Sequence, residues 1–198
     1  MSIAKAKSTD QVTASVVRNS QPTESVKAGG VFAIECIDKD GNLKWKAESK
    51  NLVVNQGLQT MNAVYFTSGT QITTWYIGLY GAASLNTPNA TDTMSSHGAA
   101  GSGGWTEETG YSNANRPTAT FATPTLADPS VVTNSASPAS FNINATATIG
   151  GAFLTSNNTK GGTTGTLFSA ADFQSPFDRS VVSGDTLNVT YTFSLDAA

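Results

Sequence analysis

The chain is expected to be mainly β, a sandwich of about seven strands with one short helix and an extended N-terminal arm. Three observations predict this. Thr, Ser, Asn and Gly recur throughout while Leu, Lys and Glu are scarce, a balance that disfavours long helices and suits short strands. Several runs alternate apolar with polar residues at a period of two, which turns one face of a strand inward. Clusters of Gly, Asn, Ser and Pro separate the runs and supply turns. At 198 residues the length suits one substantial core. The organisation read from these features is an arm over 1–28 and a sandwich body over 29–198.

In the arm, Val and Ala are scattered without a period. Lys5, Lys7, Arg18 and Lys27 against Asp10 and Glu24 give it a net charge of +2, whereas the body carries 7 basic and 12 acidic groups. Such a segment cannot offset its own ordering entropy in isolation, so its expected role is to lie across a neighbouring subunit. Val12, Val16 and Val17 are the side chains expected to enter apolar grooves there, with Arg18 beside them.

The body opens with VFAIECID, KDGN and LKWKAES. Leu43, Trp45 and Ala47 alternate with Lys44, Lys46 and Glu48, and Asp40-Gly41 marks the turn of a hairpin over about 31–48. In NQGLQTMNAVYF, residues Leu58, Met61, Val64 and Tyr65 fall at helical spacings, with Asn55 as the expected N-cap. ITTWYIGLYGA reads as a buried strand. The low-complexity stretch 84–104, ending in HGAAGSGG, is expected to be an exposed loop. Further strands are expected at ATFAT (119–123), from Ser140 through SFNINATATIGGAFLT, at TLFSAA from Thr166, and at DTLNVTYTFSL from Asp185. In the last, Leu187, Val189, Tyr191, Phe193 and Leu195 form one uninterrupted apolar face.

The residues argue against several chemistries. One histidine and one cysteine leave no His/Cys metal cluster and no disulfide within a chain. His97 is also the histidine any serine triad would need, and no serine sits in a G-x-S-x-G elbow. No catalytic, cofactor-binding or metal-binding residue is therefore assigned, and an enzyme is not expected. Asp38-Lys39-Asp40-Gly41-Asn42 resembles the start of a calcium loop, but its glycine comes early and position twelve is Ser49, so a hairpin turn accounts for it. Glu107 and Glu108 are adjacent and read as solvated charges near a strand start. With 11 Lys and Arg against 14 Asp and Glu, there is no basic excess for nucleic acid. No run is long or apolar enough for a signal sequence or a bilayer span, so the expectation is cytoplasmic synthesis and no membrane partner. Among the aromatic residues, Trp105 and Tyr111 are candidate glycan contacts, against the stronger expectation that the tryptophans serve the core.

The order of NLVVNQGLQTMNAVYF, QITTWYIGLYGA, GWTEETGYSNANRPTATF, FNINATATIGGAFLT and RSVVSGDTLNVTYTFSL resembles a family of small virion structural proteins of tailed double-stranded DNA bacteriophages. The likeness covers about residues 50–197. It rests on Trp75-Tyr76-x-Gly78-Leu79, Gly104-Trp105-Thr106-Glu107 and Asn115-Arg116-Pro117. The first 30 residues and the enlarged Gly/Ser loop around 95–104 depart from the family pattern. The resemblance implies a virion protein, favoured here as a capsid decoration or cement protein. Its implied partner is the outside of the major capsid protein shell, and its implied state a homotrimer at a threefold axis. Other readings are a head-to-tail adaptor, collar, tail or fibre-base component, which copy number separates from the first, and a glycan- or receptor-binding module, which needs the tryptophans exposed together.

Overall fold

The computed structural model describes residues 25–82, 88–97, 105–173 and 179–197. Ten strands among them form two five-stranded sheets, more than the number expected because the run from Ser140 is split in two and three short strands, at 52–53, 130–133 and 179–181, carry too little pattern to be read from sequence. One sheet has the order β2 (Leu43–Lys50), β1 (Val26–Ile37), β10 (Thr186–Ala197), with β5 (Ser130–Thr133) and β6 (Ala139–Asn142) sharing the far side of β10. The other runs β3 (Leu52–Val53), β8 (Leu167–Asp172), β7 (Ala147–Thr155), β4 (Tyr76–Gly81), with β9 (Arg179–Val181) also on β7. All pairings are antiparallel. The mainly β, two-sheet architecture with one helix longer than a turn is the one expected.

The hairpin turn forms as its residues dictate. Asp38 Oδ1 accepts the N–H groups of Asp40 and Asn42 at 2.9 and 2.8 Å, and Gly41 takes φ 86°, which glycine adopts without steric cost. β1 begins at Val26, inside the segment assigned to the arm. Val12, Val16, Val17 and Arg18 lie outside the described residues.

The two sheets differ in how they are buried, and this explains their different sequence textures. β10 alternates strictly, with Leu187, Val189 and Tyr191 fully buried and the residues between them half-exposed, because one face packs and the other meets solvent. In β7 every residue from Ile149 to Thr155 is buried. The inner face of that sheet meets the main core through Ile77, Leu79, Ala152 and Leu154. Its outer face carries a second cluster of Val54, Tyr80, Met94, Trp105, Phe153, Leu167 and Ala170. A sheet covered on both sides has near-continuous apolar strands, the texture of YIGLYG and AFLT.

Several expectations need correction. SFNINATATIGGAFLT is two strands, β6 in one sheet and β7 in the other. ATFAT belongs to neither sheet. Pro117 and Trp75 accept from Ile77 N and Ala119 N at 3.0 and 2.8 Å, and Ala122 N donates to Thr133 O at 2.9 Å. The segment thus closes the side of the sandwich from β4 to β5. The described part of 84–104 is no simple exposed loop, because Thr93 leads into α2 (Met94–His97) and Met94 is buried against the outer cluster.

Helix α1 (Asn55–Phe66) has the expected bounds, yet its cap and packing differ. Val54 takes the N-cap position without a side-chain bond, and Asn55 N donates to Ala90 O at 2.8 Å. Of the four apolar residues at helical spacings, Met61 packs against the core, whereas Leu58 and Tyr65 are exposed. The helix is seated through Gly57, where a Cβ would come within 2.4 Å of Phe168 O. That carbonyl also accepts Val54 N at 3.1 Å, so it is not free to retreat. Gly57→Ala should therefore destabilise the fold by about 1–2 kcal/mol, as the overpacking cost exceeds the roughly 1 kcal/mol that alanine gains in helix propensity. Chemical denaturation checks it; a stabilised variant would mean the helix can lift from β8 freely.

Candidate functional site

A buried polar cluster is built from two loops beside β4, 105–116 and 156–166. Segment 105–108 runs along the β4 edge, with Glu108 N donating to Leu79 O at 2.8 Å and Gly81 N to Thr106 O at 3.1 Å. This register turns the Glu107 side chain inward, to 10% exposure, where it meets the fully buried Arg116 side chain. Arg116 binds the carboxylate in bidentate fashion, Nε to Oε1 at 2.9 Å and Nη2 to Oε2 at 2.6 Å. Its remaining contacts are donations from Nη1 to Asn157 O at 2.9 Å and from Nη2 to Gly162 O at 2.6 Å. Glu107 Oε2 also accepts Gly161 N at 2.8 Å. The guanidinium lies 5.2 Å from the centroid of the Phe153 ring.

A second cation completes the arrangement. Lys160 Nζ donates to Tyr111 O at 2.8 Å and Asn113 O at 2.9 Å, and sits 4.6 Å from the Tyr111 ring centroid. The β7–β8 loop, 156–166, is thereby held to the 105–116 segment at several points. Burial, and next the Glu107 charge, push the Tyr111 phenol above its ordinary pKa, so it stays neutral. Chemically this is a clamp. The guanidinium and carboxylate satisfy each other and the loop backbone, which is what an Arg–carboxylate pair needs to tolerate burial.

The expectation that Glu107 is solvated is overturned by this geometry; adjacent Glu108 instead accepts Gly110 N at 2.7 Å. The Arg116–Glu107 pairing was not foreseen from sequence. In a chain only 13% charged, an arginine fixed between Asn115 and Pro117 was the available signal.

The candidate glycan contacts are likewise corrected. Trp105 is 2% and Tyr111 1% exposed. Trp105 meets Tyr80 edge-on, and Tyr111 meets Phe141 in the same way at 5.0 Å between centroids, so neither offers a ring face to a sugar. Trp45 and Trp75 are partly buried, Trp45 donating to Ser180 O at 3.1 Å and Trp75 packing on Phe168. The tryptophans do not form one exposed surface. Among the described residues, no group of three or more His, Cys, Asp and Glu is placed to hold a metal, and no helix is long and apolar enough to cross a membrane.

At the turn before β10, Asp185 accepts Lys44 Nζ at 2.6 Å and Val182 N at 2.9 Å. Burial pushes the Asp185 carboxyl upward, but these hydrogen bonds outweigh it and hold the pKa below the ordinary aspartate value. Beside it, burial and then the Asp185 charge push the Cys36 thiol up to about 11. A buried protonated thiol is inert. Cys36 should react with a thiol-specific reagent at neutral pH only at the rate of unfolding; modification as fast as that of a small-molecule thiol would place it at the surface.

No family model, curated protein or solved structure matches this chain.

Proposed function

We propose that this chain is a structural protein of a tailed-phage virion, binding the outside of the major capsid protein shell as a decoration or cement protein. The observation that carries this reading is how the N-terminal segment is rooted. β1 is paired with β10 over its whole length, from Val26 opposite Ala197 to Ile37 opposite Thr186, and with β2 on its other side. Whatever grips the chain before Ser25 therefore pulls on the central ladder of the sandwich rather than on a loose linker. An arm fixed in this way transmits shell contacts to a rigid body, whose loops are locked by Arg116 and Lys160. Adhesion of this kind stabilises a shell by mass action on its assembled state. The motif order that resembles phage structural proteins supports the same reading.

Two measurements test it. The chain should be present in hundreds of copies per virion, whereas about twelve or fewer would place it at a neck or tail position set by the symmetry there. Binding of the full chain to purified capsids should survive about 0.5 M salt, where the Debye length is about 4 Å. A net charge of +2 over residues 1–28 is too small to hold the arm electrostatically, since exposed ion pairs contribute under about 1 kcal/mol each. Removing residues 1–24, a cut that spares β1, should weaken capsid binding strongly; unchanged binding would overturn the role of the arm.

A further inference from the structure

We propose that the cavity between the two sheets, on the side closed by the 117–122 segment, binds a quaternary ammonium group, the trimethylammonium head of a choline-type molecule. The site does not rest on the virion reading. Its floor is Leu154, Phe168, Tyr191 and Phe193, all buried, and its rim is Trp75, Phe121 and Val132, each half-buried. Five of these seven side chains are aromatic. Trp75 and Phe168 lie 5.3 Å apart between centroids with their planes inclined at 66°, Phe168 and Phe193 5.4 Å apart at 79°, and Phe121 and Tyr191 6.1 Å apart at 63°. Rings meeting at such angles enclose a space as the walls of a box do, where parallel rings would stack and close it. The space is about 140 Å³.

Chemistry selects the ligand. No lining residue is charged, and neither is any chain neighbour of one. The Tyr191 hydroxyl is already engaged, accepting from Asn51 Nδ2 at 2.8 Å and Ser169 Oγ at 3.1 Å. A carboxylate, a phosphate or a primary ammonium entering here would lose hydration with no partner in return. A quaternary ammonium has no N–H to satisfy, and its charge is spread over methyl groups that pack on carbon. What it gains is the negative potential over aromatic faces: a cation within about 6 Å of a ring centroid is attracted, more strongly where water is excluded. In a space of this size a central cation lies within that range of several rings at once. An aliphatic lining would serve a neutral guest equally well, so the concentration of rings is what favours the cation. Size agrees, because a dry cavity of about 150 Å³ accepts a benzene molecule and a trimethylammonium head is slightly smaller. The body's 7 basic against 12 acidic groups add a weak general attraction for cations.

The test is titration of the full chain with choline chloride, at an ionic strength held constant with sodium chloride, read from the indole N–H resonance of Trp75. The expected result is a saturable shift with a dissociation constant at or below about 1 mM, while the indole resonances of Trp45 and Trp105 stay in place. The neutral analogue of choline in which carbon replaces nitrogen should bind at least about tenfold more weakly. Phe121→Leu keeps an apolar rim but removes a ring, and should weaken choline binding at least about fivefold while leaving the neutral analogue within about twofold. Its circular dichroism spectrum checks the fold; if that variant does not fold, choline against its neutral analogue on the unaltered chain decides alone. No saturable shift, equal or tighter binding of the neutral analogue, or a folded Phe121→Leu that binds choline unchanged would overturn the proposal. Co-sedimentation with phosphatidylcholine vesicles and not with phosphatidylglycerol vesicles would identify a lipid headgroup as the source, and binding of soluble choline alone a free ligand; the site stands in either case.

Discussion

Arg116→Ala should destabilise the protein by about 3–5 kcal/mol, the usual cost of removing one partner from a buried ion pair. The loss has an identifiable origin. Glu107 would remain 10% exposed with its bidentate donor gone, and the carbonyls of Asn157 and Gly162 would lose theirs. Arg116→Lys should recover little of this, because one ammonium cannot satisfy a carboxylate edge and two separate carbonyls with the planar geometry of a guanidinium. Replacing both charges, as Glu107→Leu with Arg116→Met, should cost less than Arg116→Ala alone, since no uncompensated charge is then buried. Urea titration with two-state fitting measures all three. A loss below about 1 kcal/mol for Arg116→Ala would mean that Glu107 swings out to water, and that the two loops are not held by the clamp.

Tyr191→Ala is the second large effect, expected at about 3–5 kcal/mol. Tyr191 is fully buried in the strand that lies centrally in its sheet. Its ring packs 4.6 Å from that of Phe32, and its hydroxyl receives hydrogen bonds from Asn51 Nδ2 at 2.8 Å and Ser169 Oγ at 3.1 Å. The hydroxyl thus ties β10 to β8 of the other sheet and to the β2–β3 connection. Burial pushes the phenol above its ordinary pKa, so these bonds persist across the neutral range. Tyr191→Phe should cost about 1–2 kcal/mol through the donors it strands. Phe193, 9% exposed where Tyr191 is fully buried, should lose less on truncation to Ala than Tyr191, because it buries slightly less surface and carries no hydroxyl that accepts hydrogen bonds. Equal losses at 191 and 193 in a denaturant titration would show that the inter-sheet hydrogen bonds contribute nothing.

The β10 ladder also shows where local reading stops. The alternation from Leu187 to Leu195 is visible in sequence, but its partners are not. β5 pairs with residues 192–195 and β6 with 186–189, leaving a gap opposite Tyr191. Asn134, fully buried, fills it by accepting Tyr191 N at 2.6 Å and donating to Val189 O at 3.2 Å. An asparagine in VVTNSASP reads as turn chemistry, and only its position beside an interrupted ladder makes it part of the sheet. Glu107 was misread for a comparable reason. Two adjacent acids in a polar stretch look solvated until a strand register and an arginine nine residues away turn one of them inward.

The sequence by itself determined the mainly β class, the 38–42 turn, the bounds of α1 and the buried face of β10, because each follows from local periodicity or from the backbone preferences of a few neighbouring residues. Tertiary structure decided the rest. It split the run after Ser140 between two sheets, buried the second sheet on both faces, left Leu58 and Tyr65 outside while seating the helix on Gly57, and enclosed Trp105 with the Arg116–Glu107 pair. Burial and hydrogen-bond satisfaction depend on which distant segments meet. An apolar period marks a face able to be buried, but another element must arrive to cover it.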